Sequence, residues 1–210
     1  MAGRYTKLEL KEMLCRSAFH VVMEEGIEHL TVRKVANGCG LSDPYIYQCY
    51  SDLQDMLEAV FMKIDGDVAK LMQKIIANNI IDVVASKDLE KMCWEMWKAY
   101  WDFLMADPEQ TVFYWRYYQS AYYTKEMLME RRGHFETFVN FISKVSMDMK
   151  ISDKINPDVI VSNIIDSTVS VAVKIHLGFI EKDAITEKTV YRSVFALLFH
   201  LAGKDIWEDE

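Results

Sequence analysis

Residues 26–50, GIEHLTVRKVANGCGLSDPYIYQCY, decide how the rest of the chain is read. Gly26 stops the helix before it, because a residue without Cβ adopts left-handed backbone at little cost. Thr31 then opens a short helix with Val32, Val35 and Ala36 inward, and Gly38 and Gly40 bracket Cys39 in a tight turn. Ser42 is expected to cap a third helix, with Asp43 favoured by the positive helix end and Pro44 in the first turn, where a missing N–H costs nothing. Its body is expected to be Tyr45 to Cys49. Two short helices held at a steep angle by a tight turn make a helix-turn-helix, whose last helix enters the major groove of DNA. Polar and aromatic groups should then gather at Asp43 to Tyr50, where Tyr45, Tyr47, Gln48 and Tyr50 stand.

Working outward, Thr6-x-x-Glu9 has capping-box form, and Leu10, Leu14, Ala18, Val21 and Val22 follow at helical spacing as far as Glu25. Ser51-Asp52-Leu53-Gln54 reads as a second capping box ahead of a long amphipathic helix from Leu53 through Ile76. Further helix starts are expected at Ser86, Asp107-Pro108, Thr124 and Asn156-Pro157, a stop at Leu177-Gly178, and a last helix from Thr186 to Leu201. Ile80 to Ala85 is the best strand candidate and has no obvious partner. The expected fold is therefore all-α, about nine helices in order, with a helix-turn-helix domain at 1–52 and a helical bundle at 53–210.

Composition agrees. Of 210 residues, 51% are apolar and 27% charged, which excludes disorder; only 3 Pro and 8 Gly exclude collagen-like sequence and argue against a turn-rich sandwich. The four cysteines, Cys15, Cys39, Cys49 and Cys93, form no C-x-x-C pair, and the start of the chain lacks signal-peptide character, so a reducing, cytoplasmic setting is expected. Charges such as Asp82 and Asp88 interrupt the apolar stretches, so no membrane span is expected. The net charge of −8 argues, taken alone, against a nucleic-acid binder. That average hides a split: residues 1–50 hold six bases and six acids, so all the excess negative charge lies beyond them. Bases at the start of the chain and at Arg33 and Lys34 permit a local positive face.

The stretch Gly26–Tyr50 resembles the DNA-binding signature of the tetracycline-repressor (TetR) family of bacterial regulators. The resemblance rests on Ala18, Gly26, the Thr-Val-Arg start at Thr31, Ala36, Gly40, Ser42, Tyr47 and Tyr50, and covers about 60 residues. It implies a DNA contact set of Thr31, Arg33, Ser42, Pro44, Tyr45, Tyr47, Gln48 and Tyr50, with Thr31 and Tyr47 on phosphates. Gln48 is the expected base reader, since its amide can pair bidentately with adenine N6 and N7. Two positions depart from the family pattern: Asp43 stands at the head of the recognition helix and Leu53 near the start of the fourth, where a base is common. Both remove positive potential, leaving association to hydroxyls, helix-end N–H groups and the arm of Arg4, Lys7 and Lys11.

Beyond residue 53 the resemblance implies effector sensing and dimerisation. The density of rings around Trp94, Trp97, Tyr100, Trp101, Phe113, Tyr114, Tyr117 and Tyr118 suggests that some of them line a pocket for an apolar or aromatic small molecule. Segments 157–177 and 187–202 carry apolar residues off their main stripe and so need a second partner; together they suit a symmetric homodimer reading a palindromic double-stranded operator. No spacing of His, Cys or carboxylates marks a metal site, no cofactor motif occurs, and no nucleophile or paired acid points to an enzyme. The function expected is a ligand-responsive transcriptional regulator, a repressor released from its operator by a small apolar or aromatic molecule. The alternative keeps the fold as a small-molecule-binding or interaction module that has lost DNA binding.

Overall fold

The computed structural model describes residues 5–83, 89–201 and 203. Among these, nine α-helices and no strand occur: α1 Lys7–Glu25, α2 Val32–Gly38, α3 Pro44–Tyr47, α4 Leu53–Val83, α5 Leu89–Ala106, α6 Pro108–Tyr118, α7 Lys125–Asp148, α8 Pro157–His176 and α9 Ala184–Leu201. The fold is all-α, as the sequence implies.

Local chemistry accounts for most helix starts. Thr6 and Glu9 form the reciprocal capping box at α1, and Thr31, Asp107, Thr124 and Asn156 each accept a backbone N–H from the first turn of their helices. Other expectations shift. Asp43 rather than Ser42 precedes α3, in helical backbone and without a side-chain cap, and α3 closes at Tyr47 because the N–H groups of Cys49 and Tyr50 both donate to the Ile46 carbonyl. At α4 the capping carboxylates are Asp52, which accepts from the Asp55 N–H at 2.8 Å, and Asp55, which accepts from the Ser51 N–H at 2.7 Å. The box expected at Ser51 and Gln54 is thus displaced by one residue. α9 begins at Ala184, earlier than Thr186, because Asp183 accepts the Thr186 N–H. Of the strand candidate, 80–83 continue α4; residues 84 and 85, the start at Ser86 and the arm residue Arg4 lie outside the described residues.

The chain forms two compact units. The first comprises the residues up to Gly66 together with Asp107–Arg131; the second comprises Asp67–Ala106 and the chain from Arg132 onward. The cut at Gly66 falls inside α4, whereas the division expected from sequence is 52/53. The first unit gains its extra members because α6 lies along α1: Phe19 meets Phe113 with ring centroids 5.0 Å apart, Arg16 pairs with Asp107, and Arg116 donates to the Val22 carbonyl. Its core combines Leu10, Leu14, Ala18 and Val22 of α1 with Ile27, Val35, Ile46, Leu57 and Phe61.

In the second unit α8 packs on α5 and α9. One sequence expectation is corrected here, since α8 is long and apolar enough by composition to cross a membrane. Half of that stretch is buried inside the protein, and Ile160, Ile164, Ile165, Val169 and Val173 supply a bundle core.

Candidate nucleic-acid interface

The turn between α2 and α3 is fixed by backbone bonds. Gly40 has φ +68°, and the N–H groups of Leu41 and Gly40 donate to the carbonyls of Ala36 and Asn37 at 2.9 and 3.0 Å. This is the Schellman closure, in which a left-handed residue just past the helix returns two N–H groups to its last carbonyls. Gly38 meets a second constraint, since a Cβ there would lie 2.2 Å from the Ser17 hydroxyl of α1. That hydroxyl donates to the Val35 carbonyl and locks α2 onto α1.

α3 is pinned by one side chain, the fully buried Ile46. Tyr47, 58% exposed, and Gln48 therefore face outward, together with Ser42 and Pro44. Tyr45 is half-buried. Thr31 and Arg33 of the preceding helix are exposed as well. Seven of the eight residues implied for DNA contact thus keep accessible surface. The eighth, Tyr50, does not: it is 7% exposed, four residues after the buried Ile46 and beyond the end of α3, with Lys11 5.2 Å over its ring. Burial and the neighbouring Cys15 push its phenol well above the usual range. Tyr50 is a core residue of this unit, and the 46/50 spacing was the sequence signal for it.

The electrostatics are weaker than the count of bases suggests. Lys34 is tied to Glu25 and to the His29 carbonyl, which removes it from the outward field. Arg33 and Lys7 remain exposed. Asp43 is half-buried at the head of α3, and Leu53 is half-buried at the first position of α4.

The eight rings expected around an effector divide between the units. Trp94, Trp97, Tyr100 and Trp101 belong to the second, and Phe113, Tyr114, Tyr117 and Tyr118 to the first. Six of them are buried core, while Trp94 and Tyr118 are half-buried. In the second unit Trp97 stacks on Trp101 at 5.3 Å and donates its indole N–H to Thr168 at 3.0 Å. In the first, Phe61 stacks on Tyr114 at 5.0 Å, and the Tyr114 hydroxyl donates to the fully buried Asp65 at 2.6 Å. Asp65 also accepts from Arg131 Nε at 3.0 Å, and that guanidinium lies 4.6 Å over Tyr118. Burial pushes the nearby Tyr123 phenol up to about 12.

Two cavities are described, both in the first unit and neither lined by any of those eight rings. One, of about 960 Å³, runs beside α1 and α4; the other, of about 390 Å³, is bordered by Glu24, Glu25, Glu28 and Trp115. Among the described residues no cluster of His, Cys or carboxylates is arranged to hold a metal. What sequence reasoning missed is the α1–α6 seam, in which Asp107 both caps α6 and pairs with Arg16.

This order of helices, with a Schellman-turned helix-turn-helix ahead of a bundle, is the fold of the TetR-family transcription regulators. A TetR-family regulator from Marinobacter aquaeolei VT8 superposes with a TM-score of 0.71 at 15% identity, over 89% of this chain and 94% of its own. The fatty acid degradation regulator FadR from Bacillus halodurans gives 0.63 at 17% identity over 92% and 95%, and a TetR-family regulator from Haemophilus influenzae gives 0.61 at 18% over 92% and 98%. No family model matches the sequence, and no curated protein does.

Proposed function

We propose that the protein is a TetR-family transcriptional regulator that binds a palindromic double-stranded operator as a homodimer. The observation that carries the reading is the outward presentation of Tyr47 and Gln48 on a helix anchored by Ile46 alone, beside exposed Thr31 and Arg33. A short helix with one buried side chain leaves the rest of its surface for a groove. In this reading residues 1–52 read DNA, and 53–210 sense an effector and dimerise. Val159 and Leu197, 61% and 54% exposed on α8 and α9, supply apolar surface for the second copy. A small apolar or aromatic effector at the ring-rich helices draws the dimer away from its DNA-competent arrangement, so the regulator acts as a cytoplasmic repressor. That release is a population shift, driven by differential affinity for the two arrangements.

The test is fluorescence anisotropy of the full chain on duplexes from the DNA flanking its own gene, at low and moderate salt. Sequence-preferring binding is expected, with a shallow salt slope because few cations face outward. Gln48→Ala should erase roughly 1–3 kcal/mol of site discrimination while leaving the dimer intact. The absence of any sequence-preferring binding at either salt overturns the reading. It would favour the alternative of a small-molecule or interaction module without DNA affinity, to which Asp43 and the Lys34–Glu25 pairing lend some support.

A further inference from the structure

Of the aspartates among the described residues that stand immediately before a helix, all but one cap it. Asp52, Asp107 and Asp183 accept backbone N–H groups from Asp55, Gln110 and Thr186 at 2.8, 3.1 and 2.6 Å. Asp43, at the head of α3, is the exception. Its backbone is helical, φ −45° and ψ −41°, where that of Asp107 is extended at φ −137° and ψ 95°, so the Asp43 carboxylate does not fold back over the first N–H groups. It makes no hydrogen bond or ion pair among the described residues, and it is half-buried, with Ser42 and Pro44 exposed on either side. An unengaged anion therefore stands at the leading end of the helix that presents Tyr47 and Gln48. The first residues of a recognition helix are the ones that reach base edges. A carboxylate only accepts hydrogen bonds, and phosphates repel it. On the floor of the major groove the only donors are adenine N6 and cytosine N4; adenine sets its N7 acceptor beside the amine, whereas cytosine presents the amine alone. Guanine and thymine offer no donor there, so the chemistry favours cytosine.

We propose that Asp43 is a specificity residue, its carboxylate accepting a hydrogen bond from the N4 amine of a cytosine in each operator half-site, at a position distinct from the adenine read by Gln48. The inference rests on the DNA-reading proposal and deepens it. The carboxylate lowers affinity for DNA in general and withholds it most from sequences that lack the cytosine, which is discrimination by repulsion as well as by attraction.

The experiment selects binding sites for the full chain from a library of randomised duplexes, then measures Kd by anisotropy on the selected duplex and on duplexes with one base pair of a half-site changed. The unaltered chain should enrich cytosine at one position of each half-site, and replacing that pair should weaken binding about fivefold or more. Asp43→Asn should move the preference at that position from cytosine to adenine, because an amide pairs with adenine N6 and N7. Asp43→Ala should lose the preference there altogether. Both variants should leave the position read by Gln48 unchanged, and Gln48→Ala should relax that other position and not this one. Circular dichroism establishes that the variants fold. If the unaltered chain enriches no sequence, the DNA-reading proposal and this inference fail together. If it enriches a site whose every base preference survives in both Asp43 variants, or if these variants only tighten binding to all duplexes equally, this inference alone fails and Asp43 is no more than a repulsive charge.

Discussion

Around Phe61 the clustered rings are chiefly tyrosines, Tyr114, Tyr117, Tyr118 and Tyr123, and they surround a buried carboxylate; around Trp97 they are Trp94, Trp101, Tyr191, Phe195 and Phe199, with no buried charge among the described residues. Tyrosine brings a hydroxyl that must find a partner once buried, so the first cluster is positioned by directional bonds: Tyr114 to Asp65, and Tyr117 to the Tyr122 carbonyl at 3.2 Å. The second is positioned chiefly by shape and area, with two directional bonds, the Trp97 indole to Thr168 and the Tyr191 hydroxyl to the Glu90 carbonyl at 3.2 Å. The first unit should therefore respond to changes in charge, and the second to changes in volume.

The largest test of that contrast is Asp65. Asp65→Leu leaves the Arg131 guanidinium, 11% exposed, without its carboxylate, and breaking one side of a buried pair costs roughly 3–5 kcal/mol. Adding Arg131→Met should recover most of the loss, since an apolar pair of similar volume needs no compensation. Urea unfolding of the two single variants and the double closes the cycle. If the double variant loses as much as the sum of the singles, charge is not what positions this cluster.

A smaller effect is expected at Trp97. Thr168→Val keeps volume and strands a buried indole N–H, a loss of about 1–3 kcal/mol. The neighbouring Trp101 N–H has no acceptor among the described residues. Trp101→Phe should therefore destabilise less than Trp97→Phe, although both rings are 1% exposed. Equal losses would mean that area alone governs the second cluster.

The same contrast explains which features could be read along the chain. Helix starts at Thr6, Thr31, Asp107 and Asn156 are local, set by a side chain and an N–H within three residues, and so are visible in sequence. The turn at Gly40 is equally local. At Asp52 and Asp55 several capping groups stand side by side, and spacing alone did not choose among them. Periodicity shows that Trp97 and Tyr114 are buried without showing against what, because Thr168 and Asp65 are distant in sequence. The eight rings thus read as one group and separate into two only when α6 docks on α1. Of the residues expected to contact DNA, Tyr47 and Gln48 are exposed, whereas Tyr50, four residues after the buried Ile46, is buried as well.

The smallest expected effect is also electrostatic and lies on the α1–α6 seam. His20 Nδ1 is 2.9 Å from Glu109, whose hydrogen bond and charge raise the imidazole above its ordinary value of 6.5. A folded-state value above the unfolded one means that protonated His20 adds stability, fully present below the unfolded value and lost as pH rises through the raised folded value. Because the imidazole side chain is 62% exposed, solvent screens most of the contribution. An NMR titration of the His20 ring should show a midpoint above 6.5 that drops in Glu109→Gln, and the pH dependence of unfolding should flatten by a similarly small amount. An unchanged midpoint in Glu109→Gln would mean that this seam is closed by Phe19 and Phe113 rather than by charge, and would bring the α1–α6 contact closer in character to the second unit.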